Sequence, residues 1–346
     1  MSSGIVSTPD FTSAASRSAG AFLLSRSDVE RLLAPDECMA AVEHALRQHA
    51  LGKAPPPGIL GLHTGDGGFH IKAALLTLDQ PYFAAKTNAN FPHNGVRHGL
   101  PTIQGVVVLC DAVTGQPLAV MDSIAITALR TAAATAVAAK YLARRECRTA
   151  LICGCGDQAP AQLRALLRVR SPKRIQAFDQ DAEKSRAFAA VLGAETGLPI
   201  KAVTDLPASV AASDIVITCT TARRWFIARE MVRPGAFVAG VGADNEDKQE
   251  LDPALLAASK FVTDLTGQCA AIGDLHHAVA SGVMAVSDVH AQLGEIVAGL
   301  KRARESEEEI IVFDSTGTAL QDVAAAAAVY RRALAGSESL RFSFSA

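Results

Sequence analysis

No uninterrupted apolar run in these 346 residues reaches the length of a bilayer span, so the sequence offers no α-helical membrane segment. Net charge is scarce too: −2 overall, which removes the electrostatic case for a nucleic-acid or anionic-membrane partner. The cysteines lack pairing. Seven of them, scattered and odd in number, argue against a disulfide framework and for a reducing, cytoplasmic compartment. Cys153 and Cys155 flank a glycine in a turn, and no second pair completes a site, so no metal is expected. Met1–Ser18 is Ser- and Ala-rich without the basic start and apolar core of a signal peptide, and residues 1–20 read as a disordered leader. No internal repeat is evident. What is present is the composition of an ordinary globular chain, 49% hydrophobic and 20% charged, long enough for two domains.

The most informative stretch is Thr149–Leu166. The apolar run Ala150–Cys153 reaches Gly154-Cys155-Gly156, Ala159 follows, and Leu163, Leu166 and Leu167 then recur at helical spacing. Strand, Gly-x-Gly-x-x-Ala turn and helix together form the phosphate fingerprint of a dinucleotide-binding βαβ unit. Gly154 permits the tight turn, Gly156 lets a pyrophosphate approach the backbone, and Ala159 lets the helix pack against the strand. The helix N-terminus offers free N–H groups to the phosphates. A second apolar run, Arg174–Phe178, ends in Asp179, where a ribose 2′-hydroxyl would be held. Asp179 would repel a 2′-phosphate, and Gln180 and Asp181 supply no cation for one. NAD(H) is therefore the preferred cofactor and NADP(H) the alternative.

Ahead of this unit the chain reads as helices followed by a sheet without βαβ alternation. Ser27-x-x-Glu30 has the form of a capping box for a short helix in Ser25–Leu33, and Pro35–Gly52 reads as a second helix. Ile59–His63 and Phe69–Leu76 read as a hairpin, with His70 and Lys72 sharing one face of the second arm. Tyr82–Asn88 carries Lys86, and Thr102–Cys110 and Pro117–Met121 form another hairpin. Ser123–Arg145 is an alanine-dense helix with Arg130 in its middle, either a solvated charge or a guanidinium aimed at a carboxylate.

From Thr149 onward strands and helices alternate. Strands are expected at Ala150–Cys153, Arg174–Phe178, Ile215–Cys219, Ala236–Val241, Lys260–Val262 and Ile310–Phe313. Small and acidic residues follow them: Thr220-Thr221, Gly242-Ala243-Asp244, Asp264 and Asp314-Ser315-Thr316-Gly317. In an open parallel sheet the ligand lies outside these carboxyl ends. A last alanine-rich helix, Asp322–Ala335, precedes a tail from Gly336 that reads as frayed. Adjacent His276 and His277 point apart on a helix and read as loop or helix-start residues.

Taken together, these motifs resemble the ornithine cyclodeaminase/μ-crystallin family. The residues that carry the resemblance are Ile126–Ala133 (Ile-Thr-Ala-Leu-Arg-Thr-Ala-Ala), the Gly154–Ala159 turn, Val241-Gly242-Ala243-Asp244, Phe313-Asp314-Ser315-Thr316-Gly317, and Lys86 with Pro92 and Asn94. Phe69–Lys72, Ala84–Asn90 and Leu100–Gly105 look most like the Δ1-pyrroline-2-carboxylate (cyclic ketimine) reductase branch. The resemblance implies an α/β fold: a Rossmann domain at 146–319, and an α/β substrate-binding and dimerisation domain at 21–145 completed by 320–346. It implies a homodimer. Arg130 would grip the substrate carboxylate, while Lys86 and Asp244 would handle protons at the substrate nitrogen. Thr102, Asp157, Gln158, Asp179, Thr220, Lys248, Ser315 and Gly317 would line the cofactor, with Arg130, Gly154, Gly156, Val241 and Gly242 beside them. Two features depart from the family. Pro55-Pro56-Pro57-Gly58 stands where cyclodeaminases carry a further arginine, for which Lys72 would substitute, and the glycine usual near Arg302-Ala303-Arg304 is absent.

The implied activity is reduction of a cyclic imine 2-carboxylate. Arg130 and Lys72 would clamp the carboxylate, Asp244 would stabilise and protonate the imine nitrogen, and Lys86 beside Asp244 would lower its pKa. Ornithine cyclodeamination, an alanine-dehydrogenase-like reaction on a linear amino acid, and non-catalytic ligand binding are the alternatives.

Overall fold

The computed structural model describes residues 20–336 and 339–344, so the leader expected over 1–20 lies outside the described residues except for Gly20. The first sheet is built from β1 (Ala21–Leu24), β2 (Gly58–Thr64), β3 (Gly67–Thr77), β4 (Pro81–Asn90), β5 (Ile103–Asp111) and β6 (Pro117–Asp122). The second takes β7 (Thr149–Cys153), β8 (Arg174–Phe178), β9 (Ile200–Ala202) and β10 (Ile215–Thr218). After the short β11 (Arg223–Ile227), it continues with β12 (Phe237–Gly240). Then come β13 (Gln249–Leu251), which pairs with β11, and β14 (Lys260–Thr263), β15 (Ala291–Gln292) and β16 (Ile311–Asp314) of the second sheet. The last strand, β17 (Arg341–Phe342), returns to the first.

The first sheet runs β17-β1-β6-β5-β4-β3-β2 and is antiparallel except at β1–β6. The tail expected to fray instead pairs through Phe342 and Arg341 with Ala21 and Phe22. The arginine also lies 4.0 Å over the Phe22 ring, a cation–π contact that sequence pattern alone does not reveal. The second sheet runs β15-β14-β16-β12-β10-β7-β8-β9 and is parallel throughout. Strands β7, β10, β12 and β16 are buried on both faces, which is why they read as continuous apolar runs. The order β9-β8-β7-β10-β12-β16 reverses direction between β7 and β10, opening a crevice at the carboxyl ends there.

Two alanine-rich helices join these sheets. The central helix, Ser123–Leu142, is capped by Asp122, whose side chain accepts from Ala125 N at 2.7 Å. Nearly every residue from Arg130 to Ala139 is buried, because alanine lets the helix be packed from several sides at once. The return helix, Ala319–Ala335, packs on the central helix, on β3 and β4, and on the Pro35–Ala50 helix. It begins three residues earlier than the alanine run implies, which places Asp322 inside its first turn, buried. The first helix, Arg26–Leu32, is capped by Ser25 with Asp28 rather than by the expected Ser27 and Glu30. Among the described residues no helix is long and apolar enough to cross a membrane.

Candidate active site

The glycine turn is shaped by its neighbours. Gly154 has φ +89°, and a Cβ there would stand 2.7 Å from Thr220 Cγ2 and 2.9 Å from Cys219 O, so a side chain is excluded by both conformation and space. Gly156 faces open space, as a backbone approached by a ligand must. Ala159 is fully buried at the start of the Ala159–Val169 helix. Asp179, just after β8, accepts from Cys155 N at 2.8 Å and from Asp181 N at 2.9 Å, so its carboxylate braces the turn from the side. Gln158 Oε1 is buried without a partner and Asp157 is exposed. Across the crevice Val241 N donates to Thr218 O, and Ser315 N to Gly240 O, both at 2.9 Å. The Ser315 hydroxyl is buried and unpartnered.

Beside these strand ends lies a buried cluster of cations. Lys72 and Lys86 occupy directly opposed positions on β3 and β4. Alternation along β3 turns Lys72 inward while Phe69 and Leu75 face out. Lys72 Nζ donates to Gly317 O at 2.7 Å and Thr316 O at 3.1 Å, which joins the first sheet to the end of β16. Lys86 Nζ donates to Asp322 Oδ1 at 2.9 Å and to Thr127 Oγ1 at 3.3 Å. Arg130 is buried, not solvated. Its Nε reaches the same Asp322 oxygen at 2.9 Å and Nη1 reaches Gln321 Oε1 at 2.9 Å. Gly317, with φ +73°, lies against the Arg130 guanidinium so closely that a Cβ would collide with it.

Burial governs the electrostatics. It pushes Lys86 down from 10.5 to about 7, assisted by the nearby charge of Arg130, and lowers Lys72 for the same two reasons. Burial alone would raise Asp322, but Lys86 and Arg130 together hold it below the usual carboxylate range. One Asp322 oxygen, Oδ2, is buried without a partner, as is Gln321 Nε2.

Asp244 stands at the rim, with about half its side chain exposed, and accepts from Lys248 Nζ at 2.7 Å. The expectation that Lys86 tunes Asp244 is corrected here. The carboxylate bonded to Lys86 is Asp322. Asp244 is lowered, against the desolvation of the surrounding protein, by Lys248 and then by Lys72 and His70. Burial in turn lowers the His70 imidazole, opposed by Asp244. Thr102 is not brought to this assembly by its own bonding: it is exposed just before β5, its carbonyl accepting from Phe91 N at 2.8 Å. His277, in the Asp274–Ala280 helix, approaches Lys248 O at 2.9 Å. Among the described residues no group of three or more His, Cys, Asp or Glu side chains is placed to hold a metal.

Sequence reasoning missed Asp322 and Glu250, and placed Asp264 at a strand end without giving it a role. Asp264 accepts from Gly317 N at 2.7 Å and from Thr316 Oγ1 at 3.1 Å, and so shapes the loop that Lys72 reaches. The available signal for Asp322 was a polar Gln321-Asp322 pair just ahead of the apolar run Val323–Val329, shortly after the Asp314–Gly317 turn.

A doubly wound sheet with a glycine-turn crevice, beside a second sheet and helix that bury Lys72, Lys86 and Arg130, the last two against the Asp322 carboxylate, defines an α/β protein of the Rossmann dinucleotide-binding class. The chain belongs to the ornithine cyclodeaminase/mu-crystallin family, whose profile matches residues 20–337. It is 40% identical over 312 residues to the alanine dehydrogenase of Archaeoglobus fulgidus, covering 90% of this chain and 95% of that one. Its fold is similar to an archaeal alanine dehydrogenase dimer with bound NAD, at 38% identity and TM-score 0.88, covering 93% and 99% of the two chains. It is similar also to the Thermococcus litoralis Δ1-pyrroline-2-carboxylate reductase in complex with NADH and L-proline. There the identity is 35% and the TM-score 0.84, covering 91% of this chain and 98% of that one.

Proposed function

We propose that this protein is an NADH-dependent oxidoreductase that reduces the C=N bond of an imine 2-carboxylate, with Δ1-pyrroline-2-carboxylate, giving proline, as its substrate. The observation that carries this reading is the charge balance of the buried cluster. Lys86 and Arg130 share the carboxylate of Asp322, and Lys72 beside them is held by the carbonyls of Thr316 and Gly317, a concentration of buried cationic donors that an anionic substrate would engage. The named relatives with bound NAD or NADH support the cofactor, and the open Gly156 and unpartnered Gln158 and Ser315 side chains fit it. Bound NADH supplies the hydride.

Every other element of the proposed chemistry belongs to the chain. Arg130 and Lys72 orient the carboxylate, which fixes the imine carbon relative to the strand ends. Lys86, pushed to about 7, exchanges a proton readily at neutral pH, a property a solvated lysine lacks. Asp244, kept ionised at the rim, stabilises positive charge on the imine nitrogen. A second reading, reductive amination of pyruvate to alanine, is favoured by the 40% identity to an alanine dehydrogenase. The outward face of the first sheet exposes Leu60, Leu62, Phe69, Leu75 and Val106, an apolar surface suited to a second copy of the chain in a homodimer.

Loss of NADH absorbance is the test. Consumption of NADH with Δ1-pyrroline-2-carboxylate, without ammonia release from L-ornithine, is the expected result. Turnover with pyruvate and ammonia but not with the cyclic imine would make the protein an alanine dehydrogenase. Ammonia from L-ornithine with no net change in NADH would return it to cyclodeamination.

A further inference from the structure

Glu250 sits in β13, outside the main nucleotide sheet, and is fully buried. One carboxylate oxygen accepts from Thr218 Oγ1 at 2.6 Å and Gly242 N at 2.7 Å; the other accepts from Thr220 N at 2.6 Å and Thr220 Oγ1 at 2.7 Å. All of these partners donate, two of them backbone N–H groups that a carboxylate oxygen must accept from; burial raises the Glu250 pKa, and these bonds oppose the rise. Thr218 ends β10, Thr220 follows it, and Gly242 follows the neighbouring β12. One side chain therefore ties together two adjacent strand ends. From behind, Asp274 accepts from Glu250 N at 2.8 Å and Leu251 N at 3.0 Å and holds the clamp in place. The fit is close: a Cβ on Gly242 would stand 2.5 Å from Glu250 Oε1.

The strand order says which half of a dinucleotide this clamp serves. Strands β7 and β8 end in the glycine turn and Asp179, the adenosine side; β10, β12 and β16 lie beyond the reversal, on the nicotinamide side. We infer that Glu250 is a positioning residue for the nicotinamide half of the cofactor site, fixing where Thr220 and Gly242 stand and hence where the ring is held against the substrate cluster. The inference rests on the dinucleotide reading. It adds that the two cofactor halves have separate supports, Asp179 on one side and Glu250 on the other.

Glu250→Gln puts an amide N–H₂ where only acceptors fit. In the variant, NADH should bind about tenfold or more weakly, because buried charge-assisted bonds are lost. Affinity for ADP-ribose, measured by calorimetry, should stay within roughly threefold, because it lacks the nicotinamide ring and its adenosine diphosphate lies on the far side of the reversal. Bound NADH should also lose the enhanced emission of an immobilised nicotinamide. Wild-type NADH affinity and emission would overturn the inference, and so would loss of ADP-ribose affinity in proportion to NADH, which marks general loosening. If circular dichroism shows that Glu250→Gln does not fold, Thr218→Val removes one clamp bond at a fully buried strand residue that is not among the expected cofactor contacts, and decides the matter. It should reduce emission and NADH affinity while sparing ADP-ribose, and unchanged binding of both would overturn the inference. Failure of the wild-type protein to bind either ligand would instead remove the dinucleotide reading.

Discussion

Lys72 and Lys86 face each other across β3 and β4 in register, two buried ammonium groups on neighbouring strands. Like charges opposed across a sheet destabilise it unless something compensates. The compensation comes from elsewhere in the chain: Asp322 for Lys86, and the carbonyls of Thr316 and Gly317 for Lys72. The arrangement keeps cationic donors concentrated and dry beside the nucleotide crevice.

Asp322 is the counterion on which both Lys86 and Arg130 depend. Asp322→Asn should destabilise the protein by about 3–5 kcal/mol in chemical denaturation, the cost of leaving a buried charge uncompensated. A loss below about 1 kcal/mol would mean that water replaces the carboxylate.

Lys86 makes stability depend on pH with a definite sign. Its pKa drops from 10.5 to about 7 on folding, so between those values the unfolded chain holds a proton that the folded protein has shed. Lys86 thus contributes a penalty that is fully present below about 7 and is relieved as pH rises toward 10.5. Lys86→Met should flatten the rise in stability over this window, leaving the share due to Lys72. In the reductive direction, turnover should decline as pH rises through about 7, and Lys86→Gln should lack that limb.

Asp244→Ala should lower kcat by about 10²–10³-fold, the scale of a lost charge-stabilising group, with NADH affinity nearly unchanged. The measurement is steady-state kinetics beside NADH fluorescence titration. Wild-type kcat would remove Asp244 from the mechanism.

Gly317→Ala should act on the substrate through Arg130, since the new methyl would displace the guanidinium and strain a left-handed residue. KM for the imine should rise by about tenfold or more, and by more than NADH affinity falls, because the displaced guanidinium is the clamp on the carboxylate.

Asp179 has a double role, which sharpens the test of cofactor choice. Besides the repulsion of a 2′-phosphate expected of it, it accepts from Cys155 N and Asp181 N. Asp179→Ser with Gln180→Arg should shift preference toward NADPH. Asp179→Ala alone should weaken NADH by about tenfold or more, from the lost charge-assisted bonds that hold the turn. Unchanged NADH affinity would place the ribose elsewhere.

What the sequence by itself determined is local. Gly154 is demanded by a left-handed turn between a buried strand and a helix, and the strands of the second sheet announce themselves as apolar runs because helices and loops cover both faces. Strand alternation likewise put His70 and Lys72 on one face before any packing was known. Tertiary structure decided the partnerships. Lys86 and Asp322 are 236 positions apart, and Lys72 meets a carbonyl 245 positions away, so nothing in local periodicity pairs them. The family resemblance paired Lys86 with Asp244, whereas packing of the return helix against β3 and β4 delivered Asp322 instead. Glu250 was invisible for the same reason: its value lies in reaching two strand ends at once, and strand order exists only after the sheet has assembled. Residue types are legible where the backbone constrains them, but a charge's partner is set by which elements come together to bury it.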